Sequence, residues 1–146
     1  MNTELKNAPL VFEKTYHAPV ERVWKALTDR DQLAQWSFDM DAFKPEVGFE
    51  FHFSGTKDGI VFHHICVVKE VIVGRKLSYS WRYENLSGDS LVTWELFADG
   101  PDRTNIRLTH TGLETFPQDK NFAKGNFQAG WTQLAGTNLK DCVEKG

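Results

Sequence analysis

The chain has 146 residues, 40% hydrophobic and 25% charged, which suits one domain with a sizeable core and is too apolar for a disordered chain. Its net charge of −3 and pI near 5.9 argue against a general nucleic-acid binder, which needs a basic footprint, and against a polybasic membrane patch. Eleven Phe and five Trp are many for this length and imply a very aromatic core or an aromatic-lined hollow.

The first seven residues are polar and carry no signal-peptide core. No apolar run approaches the ~18 residues a membrane span needs, so no membrane insertion is expected. The expected compartment is the reducing cytoplasm, with Cys66 and Cys142 as two buried free thiols rather than a disulfide.

Residues 10–16 alternate and predict a first strand, with Leu10, Phe12 and Tyr16 on one face. Pro19 suits the first turn of a helix, where its missing N–H costs nothing. Val20, Val23, Trp24 and Leu27 recur at helical spacing, which predicts a short helix over 19–28. Asp29 can cap a second one over 31–36. A short strand is expected at 38–43, then a turn at 45–48. Phe49, Phe51 and Phe53 alternate with Glu50, His52 and Ser54, the pattern of a half-buried strand. Residues 57–59 form the next hairpin turn. Residues 60–73 are apolar on both faces, so this strand should bend or carry a bulge. Alternating strands follow around Leu77–Tyr83, Val92–Phe97 and Thr104–His110, joined by short turns that imply antiparallel neighbours.

The last thirty residues hold the only long helical pattern. Ala123, Phe127, Gly130, Trp131, Leu134, Ala135, Asn138 and Cys142 fall on one side, with Asp119 or Asn121 as a cap. A lone long helix must bury its stripe on the sheet. The expected class is therefore α+β. Six to seven antiparallel strands form a curved sheet wrapped around a long C-terminal helix, and two short helices follow the first strand. The chain reads as a single domain over 1–146, with its core at about 9–143.

At both ends the residues match a family pattern. Ala18-Pro19-x-x-x-Val23-Trp24-x-Ala26-Leu27-Thr28-Asp29, followed by Leu33-x-x-Trp36, resembles the opening of the START-like (SRPBCC, helix-grip, birch-pollen-allergen-like) superfamily. Thr109-His110-x-Gly112-Leu113 and Gly130-Trp131 are similar to the subgroup named for the activator of heat-shock protein 90 ATPase. That subgroup often has leucines four and eight residues after the tryptophan. Here Ala135 takes the first place, with Leu134 just before it, and Leu139 keeps the second. The resemblance implies a helix-grip fold with a ligand cavity between sheet and helix, and no cofactor. The superfamily spans lipid and polyketide binders, cyclases, resistance proteins and co-chaperone domains, so fold does not name function. The namesake co-chaperones carry a separate N-terminal domain for much of the chaperone contact. With no room for one in this chain, chaperone activation is not the expected role.

Candidate site residues follow from strand faces. Trp36, Phe51, Phe53, Phe62, Tyr79, Trp81, Tyr83, Trp94, Phe127, Trp131 and Leu134 could line a pocket for a flat hydrophobic molecule, or simply fill the interior. His110 shares a face with Ile106 and Leu108. It can be a ligand contact, an acid or base, or a core histidine bonded to its neighbours. Asn138, polar within an apolar stripe, must be hydrogen-bonded to His110, a Tyr, water, a ligand or backbone. His63, His64 and Cys66 do not reach the four-ligand requirement of zinc, and adjacent His63 and His64 point to opposite faces. No metal is therefore expected, and one of these histidines should sit in or near the cavity. The carboxylates Asp39, Asp41, Glu46 and Glu50 read as a solvated rim.

The expected function is binding of a small hydrophobic or aromatic ligand, with the polar contacts supplied by His110 and Asn138 and the cavity placed between Trp81, Trp94, His110 and Asn138; side chains plugging that space would count against the ligand reading and for an interaction module. The alternatives are a cyclase- or hydrolase-type enzyme using His110 as acid or base, and a co-chaperone-like interaction module with a filled cavity.

Overall fold

A computed structural model describes residues 9–38, 40, 42–57, 59–117 and 122–145. Six strands form one curved antiparallel sheet: β1 (Leu10–Tyr16), β2 (Glu50–Lys57), β3 (Ile60–Ile72), β4 (Lys76–Tyr83), β5 (Ser90–Ala98) and β6 (Thr104–Thr111). Their order is β1-β6-β5-β4-β3-β2. Strands β2 to β6 form a meander, and β1 joins the far edge beside β6. Alternation then sets the faces. Leu77, Tyr79, Trp81 and Tyr83 of β4 face inward with Val92, Trp94 and Leu96 of β5 and with Ile106, Leu108 and His110 of β6. The long β3 carries the expected irregularity, a register shift between Val68 and Glu70. There the Ser80 hydroxyl, rather than a carbonyl, accepts from Val67 N at 3.0 Å.

Two short helices, α1 (Val20–Thr28) and α2 (Arg30–Trp36), follow β1. Pro19 stands at the N-cap of α1 and Asp29 at that of α2, where its carboxylate accepts from Gln32 N. The strand expected at 38–43 does not form among the described residues. The aromatic side chains of this segment are drawn into the core instead. Phe38 stacks on Phe53 with centroids 4.5 Å apart, Phe43 meets Phe51 at 5.0 Å, and Arg30 Nε donates to the Met40 carbonyl. Asp39, Asp41 and the turn residue Asp58 lie outside the described residues, as do both expected caps of the last helix, Asp119 and Asn121.

The C-terminal helix runs over 124–144 as α3 (Lys124–Gln133), a π-helical turn (Leu134–Asn138) and α4 (Leu139–Glu144). That turn corrects the expected stripe. Phe127, Trp131, Ala135, Leu139 and Val143, spaced by four, are all buried, whereas Asn138 and Cys142 are only half-buried. In an α-helix a spacing of four drifts by about 40° per step, and so by about 160° over this row. The wider turn takes up one residue and keeps the row against the sheet. Its conformation is held from outside: Tyr16 Oη donates to the Ala135 carbonyl at 2.6 Å.

Candidate functional site

The inner face is not uniformly filled. Under α2, the rings of Trp36, Phe51, Phe53, Tyr79 and Trp94 close around a gap of only about 20 Å3. The space expected between Trp81, Trp94, His110 and Asn138 is plugged by Trp131, whose ring lies 5.4 Å from Trp81 and 5.8 Å from Trp94, so the expected ligand place held by His110 and Asn138 does not exist. Beyond Trp81 and Trp131, toward β2, a cavity of about 330 Å3 remains between β2–β4 and α3.

Each wall has a local cause. Phe62, His64, Trp81 and Tyr83 reach the cavity because they are inward positions of β3 and β4. Phe127, Trp131 and Leu134 come from the helix, at three- and four-residue spacing. Phe38 and Phe122 close the ends. On β2 the inward position is Gly55, and any Cβ there would stand 3.3 Å from Phe38 and 3.4 Å from His64. Glycine at this point leaves room for both rings. Of the residues expected to line a cavity, Phe62, His64, Trp81, Phe127, Trp131 and Leu134 meet at this one. Trp36, Phe51, Phe53, Tyr79 and Trp94 lie in the packed region beside it. Phe38, Thr56, Phe122 and Asn126 lack a periodic signal, so sequence patterning could not place them. Tyr83, expected in the aromatic set on the same β4 face as Trp81, also lines this cavity.

His110 lies behind the cavity wall with no exposed surface. Trp131 Nε1–H donates to its Nδ1 at 3.0 Å, which leaves the ring proton on Nε2. That N–H donates to Ser90 Oγ at 2.8 Å, and the Ser90 hydroxyl donates to the Trp81 carbonyl at 2.7 Å. Burial pushes the imidazole down to about 3, so it stays neutral. The pair has Ser–His composition but the wrong polarity for nucleophilic catalysis, because the histidine donates to the serine instead of accepting its proton. Both ring nitrogens are committed, and the residue ties α3 to β4, β5 and β6. Asn138 is also committed: its Nδ2 donates to the Trp36 carbonyl at 3.3 Å, and its Oδ1 accepts from Gln133. It joins the helix to the end of α2 and contacts neither His110 nor the cavity.

Two buried polar groups remain in the cavity wall. His64 Nδ1–H donates to the Phe53 carbonyl at 3.2 Å. Burial outweighs the Phe53 and Phe62 carbonyls and lowers the imidazole to about 4, so Nε2 presents a neutral lone pair. Tyr83 Oη accepts from Trp81 Nε1 at 3.0 Å, and burial raises its phenol to about 12. The two rings are 4.8 Å apart. His63 faces outward, where Nδ1 meets Ser54 Oγ at 2.7 Å, while His64 and Cys66 face inward. Among the described residues no three His, Cys, Asp or Glu side chains gather in a metal-binding group, and both cysteines are free.

A curved antiparallel sheet closed by a C-terminal helix over an aromatic cavity defines a helix-grip domain of the START-like class. A protein from Mesorhizobium loti (MLL2253) is 28% identical, with a TM-score of 0.76 over 94% of this chain and 98% of its own. A Bacillus halodurans protein (BH1534) is 25% identical, with a TM-score of 0.73 over 94% and 97%. At 21% identity, a Chromobacterium violaceum protein (CV1439) shares the fold with a TM-score of 0.80 over 93% and 96%. No curated protein matches the chain. The sequence profile of the family described as Activator of Hsp90 ATPase homolog 1-like protein matches residues 17–144, and the chain belongs to that family.

Proposed function

We propose that the protein binds a small, largely hydrophobic or aromatic molecule in the cavity between β2–β4 and α3. The observation that carries this reading is the cavity itself. Its volume of about 330 Å3 lies at the lower end of the range for small-molecule sites, roughly 300–1,000 Å3. Rings make up most of its wall, with only a few polar groups among them. The family fits a ligand-binding domain in general. Catalysis through His110 has no support in its geometry, since both nitrogens are bonded within the fold. No helix among the described residues is long and apolar enough to cross a membrane.

Native mass spectrometry of freshly purified protein tests the proposal. A retained molecule that is lost when Gly130 is replaced by Trp supports it. Gly130 lines the cavity and a Cβ there meets nothing within 4 Å, so a large side chain can narrow the space without a backbone clash. If neither a copurified molecule nor any added aromatic probe binds, the reading fails. Retention of the heat-shock protein 90 homologue in a pull-down would favour the interaction-module alternative.

A further inference from the structure

The cavity's polar groups are arranged for one kind of partner. His64 and Tyr83 are each 6% exposed, and they are the deep polar side chains of the wall; Thr56 and Asn126 are exposed positions at its mouth. The His64 ring has spent its N–H on the Phe53 carbonyl, so what remains is an acceptor, Nε2. Tyr83 Oη has received the Trp81 indole N–H and makes no other hydrogen bond among the described residues, so what remains is a donor, its O–H. Both side chains line the cavity.

Resting on the proposal that this cavity binds a small molecule, we infer that its ligand is an uncharged planar molecule bearing a hydroxyl group, a phenol or enol, clasped between His64 and Tyr83. A hydroxyl satisfies both at once: its hydrogen donates to His64 Nε2 while its oxygen accepts from the Tyr83 O–H. A carboxylate does not, since it would place a lone pair against Nε2, and among the described residues no lysine or arginine lines the cavity to offset its charge. Nor does a pure hydrocarbon, which would strand both polar groups in the dry wall. Planarity follows from the packing. The cavity wall is built mostly of aromatic rings, with His64 stacked on Phe53 behind it at 4.4 Å and 15° and the Phe38 ring 5.7 Å away, tilted by 31°.

The test uses 2-naphthol, naphthalene and 2-naphthoate at pH 7, where 2-naphthol is neutral. Binding is read from the indole N–H resonances of Trp81 and Trp131 in 1H–15N NMR. The inference expects 2-naphthol to bind about tenfold tighter than naphthalene, and 2-naphthoate at least tenfold weaker than 2-naphthol. It expects the naphthol-to-naphthalene ratio to fall about three- to tenfold in His64→Phe and in Tyr83→Phe, the loss of one hydrogen bond each. Tyr83→Phe keeps the ring and carries the test if His64→Phe does not fold. Equal affinity for naphthol and naphthalene, an unchanged ratio in the variants, or naphthoate binding as well as naphthol overturns the inference and leaves the cavity proposal standing. If none of the three probes binds, the inference falls, and the cavity proposal falls with it when no molecule copurifies either.

Discussion

The buried His110 makes the fold acid-sensitive in a calculable way. Its imidazole is lowered from 6.5 to about 3 by burial alone. The unfolded chain therefore takes up a proton near pH 6.5 that the folded chain refuses until about pH 3. Stability from this residue is complete above pH 6.5 and falls as pH drops through that window. Two pH units below 6.5, at pH 4.5, the loss is about 2.7 kcal/mol at roughly 1.36 kcal/mol per unit. His64, lowered to about 4, adds a loss of similar order. Together they rival the lower end of the roughly 5–15 kcal/mol that holds a domain folded. Urea unfolding of wild type and His110→Gln at pH 7 and pH 4.5 isolates the His110 share, whatever the absolute cost of the substitution. The wild type should lose on the order of 2–3 kcal/mol more than the variant between the two pH values. Equal losses would refute the argument, as would a His110 ring resonance titrating near pH 6 in the folded protein.

Other expectations follow from single contacts. Trp131→Phe keeps an aromatic ring but removes the indole N–H with part of the buried ring, leaving Nδ1 of His110 without its donor; a loss of at least about 1–3 kcal/mol in urea unfolding is expected, and under 0.5 kcal/mol would count against the bond's role. Gly125→Ala should raise stability by up to about 1 kcal/mol, because it is helical and a Cβ there meets nothing within 4 Å, whereas Gly136→Ala should gain less because Phe12 Cζ stands at 3.2 Å. A thermal melt comparing the two substitutions checks the order. Gly88→Ala should destabilise by about 1–3 kcal/mol, since φ is +106° and the new Cβ would stand 2.5 Å from Phe116 Cδ1 and 2.6 Å from the Thr115 carbonyl oxygen; an unchanged melting temperature would show that the loop relaxes freely.

The sheet was legible because alternation is a local signal. Phe51 and Phe53, or Trp81 and Tyr83, declare a face without reference to any other strand. The two short helices were legible for the same reason, through Pro19, Asp29 and the spacing of Val20, Val23 and Leu27. The segment at 38–43 misled because two phenylalanines suggest a strand, while their rings are held by Phe51 and Phe53 from a neighbouring strand. The π-turn was invisible because its stabilising bond comes from Tyr16, 119 residues away in the chain. The cavity's position was hidden by a similar limit. Alternation tells which face a ring is on, but not which half of that face the helix fills.

The hydrogen-bonded chain through His110 links these observations. It begins at the Trp131 indole, passes through His110 and Ser90, and ends on the Trp81 carbonyl. Trp131 and Trp81 are the two residues that separate the packed half of the interior from the open half. Cross-linking them through a neutral histidine fixes that boundary, so the cavity does not collapse onto its own rings. The Trp81 indole N–H then continues to Tyr83 Oη, which leaves the tyrosine with only its donor to offer. The histidine that looked most suited to chemistry thus acts through geometry. Its motif holds the wall from which Tyr83, opposite His64, faces the empty space.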